Sequence, residues 1–298
     1  MWTKLNPESS RKASAENHDD VERVSNTLLT IAEPGSSFSY LSGGASNHTF
    51  IKRRGKNGSV LRFFGRGDHA LEESRVEADL LHACFPTKCV VDCLEFIDQE
   101  LAVLEMNFLS SADPSPSEVW ELQVHYQSAI ASSGREGLFP DERDISALVA
   151  RARLALANFT DDDQLTAAEV ALSTSLLENL ADFLVEAPRV PCHGDLSPGN
   201  VLQGSSRPGD QSGLVALDWE DRFWGVRDYD FLYWLTFMAN APYVTRESLR
   251  ISDQPHEICV ALLLVIVLLK EYITLSSGIT LDGRLPAVVR LRHVLELM

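Results

Sequence analysis

Residues 191–202 read PCHGDLSPGNVL, and after a polar loop residues 214–220 read LVALDWE. Asp195 and Asn200 are five positions apart, and the glycines and proline around them favour irregular backbone that lets both side chains turn toward one point. The second segment is an apolar strand that ends at Asp218. We interpret these three oxygen-bearing side chains as parts of one phosphoryl-transfer site.

The chemistry of phosphoryl transfer explains why these residue types are needed. Charge is spread over the oxygens of the transferred group, so positioning and electrostatics do most of the work. Asp195 fits the catalytic base that accepts or orients the hydroxyl proton, while Asn200 and Asp218 offer the oxygen ligands that Mg²⁺ prefers. Glu220 lies two residues beyond Asp218, so extended backbone would place both on one face and make Glu220 a supporting or substrate-facing carboxylate.

Composition limits the classes of partner. The chain has 298 residues, of which 45% are hydrophobic, and a formal net charge of −17. This length allows a large core and two lobes. The negative charge argues against nucleic acid and anionic membranes as main partners, and it is only weakly in favour of a cationic substrate.

Two apolar features bear on location. Residues 1–20 lack the apolar segment of a signal peptide. The longest apolar run, at 258–269, is shorter than the roughly 20 residues that span a bilayer, so it predicts a buried helix. We therefore expect a cytoplasmic protein with no membrane partner. The phosphoryl-transfer site and the negative charge described above predict a small-molecule alcohol as substrate and no nucleic acid partner.

The pattern of apolar residues predicts three parts. Residues 1–20 form a polar tail, residues 21–108 a mostly antiparallel sheet with one substantial helix at 72–85, and residues 109–298 a mainly helical region. A Pro/Ser-rich break at 110–118 supports the boundary.

Three smaller features of the sequence complete the prediction. A short helix is expected at 21–32. Asn57 and Gly58 are expected at the centre of a type I′ turn between two strands, because both central residues of that turn need positive φ. The five cysteines are irregularly spaced without a C-x-x-C pair, so we expect reduced, mostly buried thiols and no zinc.

The pattern H-G-D-x4-N, followed by an apolar strand and D-W-E, resembles the aminoglycoside phosphotransferase and choline kinase superfamily of small-molecule kinases. The resemblance covers about residues 40–235. It implies an α+β, bilobal protein-kinase-like fold with an antiparallel-sheet N-terminal lobe and a mainly helical C-terminal lobe. It also implies that His193 is a structural residue of the catalytic loop and that Asp230, in RDYDFLYWL, braces that loop.

The resemblance extends to a nucleotide-binding loop. The segment LSGGASNHTF at 41–50 is similar to the loop with which the family contacts the phosphates of ATP. Gly43 and Gly44 would let the backbone approach the phosphates, and Ser46 or Asn47 would donate hydrogen bonds to them.

Strands of the N-terminal lobe resemble the family as well. Arg62, in VLRFFG, stands where many relatives have lysine, and Glu77 would pair with it as the helix glutamate does in the family. The strand AVLEMNFL resembles the hinge, where backbone groups near Glu105 and Asn107 would contact adenine.

The aromatic residues that follow Asp218 allow two interpretations. They could surround an ammonium group by cation–π attraction, or four of them could lie in the lobe core. The set is Trp219, Phe223, Trp224, Tyr229, Tyr233 and Trp234, and the four expected in the core are Trp219, Tyr229, Tyr233 and Trp234.

Taken together, these features predict an ATP- and Mg²⁺-dependent kinase that phosphorylates a hydroxyl of a small molecule, with an aminoglycoside or a choline- or ethanolamine-type acceptor favoured. Two other classes compete with this prediction. A catalytically inactive pseudokinase would bind nucleotide and regulate a partner, and a metal-dependent hydrolase would use the same acidic residues.

Overall fold

The computed structural model describes residues 36–41, 48–54, 57–89, 91–96, 101–141, 144–161, 165–204, 213–238, 244–277 and 285–298. The predicted helix at 21–32 and the glycine-rich loop at 42–47 lie outside these ranges. The chain divides into a sheet-rich unit, residues 2–111 with 202–220, and a helical unit, residues 112–201 with 221–298.

The sheet-rich unit is built on five antiparallel strands in the order β1-β2-β3-β5-β4. These strands are β1 (Ser36–Leu41), β2 (His48–Arg54), β3 (Asn57–Arg66), β4 (Val91–Phe96) and β5 (Leu101–Asn107). Helix α1, Gly67–Cys84, packs on β3, β4 and β5 and begins earlier than its pattern predicted, with Asp68 favourably placed in its first turn. A second sheet contains β6 (Ser110–Ser111), β8 (Val201–Gln203) and β9 (Leu214–Ala216) in that order.

The hairpin between β2 and β3 forms in a different register from the one predicted. Asn57 pairs with Arg54 inside the ladder, so the prediction that Asn57 and Gly58 form the centre of the turn is wrong. The observed register places Phe50 opposite Leu61, and these side chains are 2% and 3% exposed. A turn centred on Asn57 and Gly58 would lose this buried cross-strand pair, and such pairs fix strand register.

The helical unit is organised around one apolar helix. Its helices are α2 (Pro116–Ser133), α3 (Ile145–Asp161), α4 (Ala167–Glu186), α5 (Tyr229–Met238), the single turn α6 (Arg246–Leu249), α7 (His256–Ser277) and α8 (Ala287–Leu295). Helix α7 packs against α3, α4, α5 and α8. The side chains at 258–269 are at most 8% exposed, which confirms the predicted buried helix.

A short antiparallel ladder of β7 (Val190–Cys192) and β10 (Phe223–Gly225) stands beside the H-G-D segment. This ladder fixes the backbone just before His193. The predicted α+β fold class, with an antiparallel-sheet N-terminal region and a mostly helical remainder, is confirmed.

Four cysteines have described side chains, and all are buried free thiols: Cys84, Cys89, Cys192 and Cys259. Burial raises the pKa of Cys84 and of Cys89 to about 12. Within the described ranges, no three His, Cys, Asp or Glu side chains are grouped so that they could hold a metal ion. No described helix is both long and apolar enough to cross a membrane.

Two helices begin with capping boxes that differ in one respect. At α2, Ser115 and Glu118 exchange hydrogen bonds, and at α4, Thr166 and Glu169 do the same. Glu169 additionally accepts a 2.8 Å hydrogen bond from Nε of Arg292 on α8. Arg292 and the cap together lower the pKa of Glu169 to about 2, and Ser115 lowers the pKa of Glu118.

We predict that Glu169→Gln destabilises the protein at neutral pH and that this deficit narrows under acid. The lowered pKa stabilises the fold fully above the ordinary value of 4.5, and the contribution is lost as pH falls toward about 2. Unfolding midpoints of the wild type and the variant, measured from pH 7 downward, check the narrowing.

The matched change Glu118→Gln removes the charge from a cap of the same geometry, in which Ser115 holds the carboxylate. Added salt should therefore reduce the deficit of Glu169→Gln and leave that of Glu118→Gln nearly unchanged. A deficit for Glu169→Gln that stays constant across pH and salt would contradict the assigned role of the Arg292 contact.

Candidate active site

In the sheet-rich unit, Arg62 connects a helix to the end of a strand. Its Nη1 donates to Oε1 of Glu77 on α1 at 2.6 Å, and its Nη2 donates to Oδ1 of Asp218 just after β9. The same Glu77 oxygen accepts the backbone N–H of Asp218 at 3.0 Å. The predicted pair of Arg62 and Glu77 is therefore present, and it directly holds Asp218.

The pair of Arg62 and Glu77 is almost fully buried. Arg62 is 6% exposed and Glu77 is 2% exposed. Burial alone lowers the pKa of Arg62, but the carboxylates of Glu77, Asp218 and Glu220 outweigh that effect, so the pKa is raised and the guanidinium stays charged. Removing one partner from such a buried pair costs about 3–5 kcal/mol, because the other charge is left uncompensated.

Asp218 has a backbone conformation that is rare for a residue with a side chain. Its φ is 73°, in the left-handed region. Beyond it, Trp219–Asp221 form a 3₁₀ turn in which the Trp219 side chain is fully buried and its Nε1 donates to the carbonyl of Ala216 at 3.0 Å. Strain of this kind persists only where surrounding contacts hold it, and here Glu77 and Trp219 supply them.

The turn corrects one expectation. Glu220 was predicted to share a face with Asp218 because strand residues two apart point the same way. Strand β9 ends at Ala216 and the chain then turns to bury Trp219, so that alternation argument is wrong. Glu220 still acts on the cluster, since its charge contributes to the raised pKa of Arg62.

In the helical unit, the loop after β7 brings Asp195 and Asn200 together as predicted. Nδ2 of Asn200 donates to the backbone carbonyl of Asp195 at 2.8 Å and to its Oδ2 at 3.2 Å. On the other side of the carboxylate, Oδ1 accepts a 2.8 Å hydrogen bond from the Tyr233 hydroxyl. Each oxygen of Asp195 therefore receives one of these hydrogen bonds, which fixes the plane of the carboxylate.

Asp230 contacts the backbone of this loop. Its Oδ2 accepts the N–H of His193 at 2.7 Å and the hydroxyl of Tyr126 at 2.5 Å, while its Oδ1 accepts the N–H of Gly194 at 2.9 Å. The side chain is fully buried, and burial raises its pKa although His193, Tyr126 and the two amides oppose that shift. The bracing contact expected of Asp230 is thus present.

Gly194 and His193 shape the approach to Asp195. Gly194 has φ of 87°, and a Cβ there would lie 2.0 Å from the carbonyl oxygen of Asp221, so only glycine fits. His193 is fully buried, and its Nδ1 accepts the N–H of Asp195 at 3.3 Å. Because Nδ1 of His193 accepts a hydrogen bond from the loop backbone, His193 supports the conformation of the loop.

The remaining predicted nucleotide contacts are only partly described. Glu105 accepts hydrogen bonds from Lys52 at 2.9 Å and from Ser59 at 2.5 Å, and its backbone lies between the flanking strands β3 and β4. Asn107 donates from Nδ2 to the carbonyl of Lys88 at 3.1 Å and lies past the last β4 pairing. The adenine role of both residues stays a prediction, and Gly43, Gly44, Ser46 and Asn47 lie outside the described residues.

Two tyrosines contact the site in ways that the sequence did not predict. Trp219, Tyr229 and Trp234 are buried as predicted, but Tyr233 is partly exposed and contacts Asp195. Its position three residues after Asp230 on a helix was a usable signal, because residues at that spacing share a face. Tyr126 comes from a distant helix, and no local pattern connects it with Asp230.

Two groups offer oxygen ligands of the kind that Mg²⁺ prefers. Nδ2 of Asn200 is held by Asp195, so the amide oxygen lies on the other side of that planar group. Asp218 supplies a carboxylate whose side chain is 23% exposed. The donor chemistry of the described residues is therefore compatible with a magnesium ion.

Comparison with known proteins identifies the family of the chain. Residues 37–254 match the sequence model of the phosphotransferase enzyme family. No curated protein matches the chain in sequence.

Three solved structures share the fold at low identity. A microcompartment-associated aminopropanol kinase is 17% identical with a TM-score of 0.54, over 91% of this chain and 94% of that one. The GDP complex of aminoglycoside 2′-phosphotransferase-IIIa is 13% identical with a TM-score of 0.58, over 92% and 97%. A ternary complex of a thermostable mutant of aminoglycoside phosphotransferase APH(4)-Ia with AMP-PNP and hygromycin B is 17% identical with a TM-score of 0.55, over 92% and 98%.

The family match covers most of the chain, and the residues that it includes form the Asp195 loop and the Arg62 cluster described above. The chain therefore belongs to the phosphotransferase enzyme family, and it is a phosphotransferase that acts on hydroxyl groups.

Proposed function

We propose that this phosphotransferase moves the γ-phosphoryl group of ATP to a hydroxyl of a small molecule that also carries an amino or ammonium group. The observation that supports this most is the Asp195 carboxylate, held by Tyr233 on one oxygen and by Asn200 on the other. A carboxylate fixed in this way can align an acceptor hydroxyl for in-line attack, and alignment supplies much of the rate in phosphoryl transfer.

Asp195 acts in this proposal as the group that orients the acceptor hydroxyl and takes its proton. Tyr233 and Asn200 both donate to its carboxylate, so each carboxylate oxygen acts as a hydrogen-bond acceptor in this loop. His193 is excluded as the base, because it is fully buried and its Nδ1 serves the loop backbone.

The nucleotide is assigned to the residues that resemble the family's phosphate and metal contacts. Asn200 and Asp218 would hold Mg²⁺, which would neutralise charge on the phosphates. Arg62 would supply a permanent positive charge, and Glu77 fixes its fork. The loop with Gly43 and Gly44 would cover the phosphates, as the sequence resemblance implies.

A cationic acceptor is favoured by the charges around Asp195. Burial raises the pKa of the Tyr233 phenol well above its usual value, and the carboxylates of Asp195 and Asp221 add to that shift. The net charge of −17 acts in the same direction. The names of the structural neighbours, an aminopropanol kinase and aminoglycoside phosphotransferases, agree with an amino-bearing acceptor.

The aromatic pair of Tyr233 and Phe237 is not the proposed ammonium site. Nζ of Lys270 already lies 3.9 Å from the ring centroid of Tyr233 and 3.5 Å from that of Phe237. The protein's own cation thus covers these rings, and carboxylates remain the groups that would attract an acceptor's charge.

Asp195→Asn should lower kcat by about 10²–10⁴-fold, the usual contribution of acid–base catalysis, with nucleotide affinity nearly unchanged. ADP release with a confirmed acceptor measures kcat, and calorimetry measures nucleotide affinity. Asp182→Asn, an exposed change on α4, is the matched control. Full activity of Asp195→Asn would show that the carboxylate has been given the wrong role.

Acceptor preference provides a separate test. Pairs of alcohols that differ only by an amino group, such as ethanolamine and ethanol, should show a higher kcat/KM for the amine, and added salt should reduce the difference. Equal rates within every pair would refute the cationic acceptor. Nucleotide binding without turnover on any alcohol would favour the pseudokinase, and phosphate release without acceptor consumption would favour a hydrolase.

A further inference from the structure

The side chain of Tyr233 connects Asp195 with the core of the helical unit. It lies on α5, and its hydroxyl donates to Oδ1 of Asp195 at 2.8 Å. Burial and the charge of Asp195 raise the pKa of Tyr233 well above its usual value, so the phenol stays protonated at physiological pH. Tyr233 is consequently a permanent donor to Asp195, and it cannot act as a second base.

The ring of Tyr233 rests on a buried cation. Lys270, on α7, is 8% exposed, and its Nζ lies over the rings of both Tyr233 and Phe237, 3.9 Å and 3.5 Å from their centroids. The ammonium also donates to Oγ1 of Thr236 at 2.5 Å. Tyr233 and Phe237 are one helical turn apart, so they form one face against which Lys270 packs.

A lysine at this position is costly for packing alone. Burial of an ammonium group disfavours its charged form, and lysine is almost never fully buried unless it is compensated. The cation–π contacts with the two rings and the hydrogen bond to the hydroxyl of Thr236 compensate this buried charge. Methionine, with similar length and no charge, would fill the same space without the desolvation penalty.

We propose that Lys270 and Tyr233 together form a positioning device for Asp195, in which Lys270 fixes the Tyr233 ring and the Tyr233 hydroxyl fixes one oxygen of the carboxylate. This inference rests on the proposed function, because it assigns Asp195 to the reacting hydroxyl. Asn200 holds the other oxygen, so rotation about the Cβ–Cγ bond of Asp195 is restrained from both sides.

The device moves no proton and forms no bond. Its effect is geometric, because a displacement of about 1 Å at a reacting group can lower a rate by about 10²-fold. The contribution should consequently appear in kcat, with little change in nucleotide affinity. A purely structural role would instead lower stability without this selective loss.

The first test removes one oxygen atom. Tyr233→Phe keeps the ring over Lys270 and should lower kcat about tenfold or more while KM for ATP stays within about twofold. Tyr229→Phe is the matched control on the same helix, since its hydroxyl makes no hydrogen bond with Asp195 among the described residues. Wild-type kcat in Tyr233→Phe would overturn the inference.

The second test asks whether Lys270 acts through Tyr233. Lys270→Met should lower kcat in the wild-type background and have much less effect on kcat in the Tyr233→Phe background. The separate variant Lys270→Arg, which keeps the positive charge, should retain part of the wild-type kcat. Equal loss in both backgrounds would show that Lys270 does not act through the hydroxyl. Thermal unfolding of each variant identifies losses that come from misfolding, and in that case Tyr233→Phe decides alone.

Failure of this inference can be distinguished from failure of the proposed function. An active Asp195→Asn variant would remove the base assignment itself. An inactive Asp195→Asn variant together with a fully active Tyr233→Phe variant would leave the proposed function in place and reject only the positioning role.

Discussion

The buried carboxylate of Asp230 is the constraint on which the geometry of the Asp195 loop depends. It accepts the backbone N–H groups of His193 and Gly194 and the hydroxyl of Tyr126, so one side chain ties the loop to helices α5 and α2. Burial raises the pKa of Asp230, and these donors oppose the shift. An acceptor in that position sets the path of the chain immediately before Asp195.

The cluster around Arg62 is also built on a buried ion, but this ion is a cation. Arg62 is a buried cation that is held by Glu77 and that in turn holds Asp218, whose left-handed backbone these contacts support. In both clusters, partners from distant segments contact a buried ion. Asp195 and Asp218, the residues proposed to contact substrate or metal, are more exposed than Asp230 and Arg62. Such networks are sensitive to loss of one partner, because the remaining charge cannot be hydrated.

Particular residues show how far the sequence could be used. Spacing and residue type predicted that Asp195 lies with Asn200, whereas the pairing of Arg62 with Glu77 was predicted from the family resemblance. The hairpin register failed at Asn57 because burial of Phe50 against Leu61 outweighs local turn preference. The expectation that side chains alternate between faces failed at Glu220, because the chain forms a 3₁₀ turn there that buries Trp219. Tyr126 and Lys270 could not be predicted, because their roles arise from tertiary contacts that leave no local pattern.

Hydrogen exchange at the backbone amides of His193 and Gly194 directly measures how firmly Asp230 holds the Asp195 loop. We expect slow exchange of both amides in the wild-type protein, since Asp230 accepts a hydrogen bond from each, and much faster exchange in Asp230→Asn, with amides of helix α7 unchanged. Exchange of the two amides at the rate of an open loop in the wild type, or equal protection in the variant, would contradict this expectation.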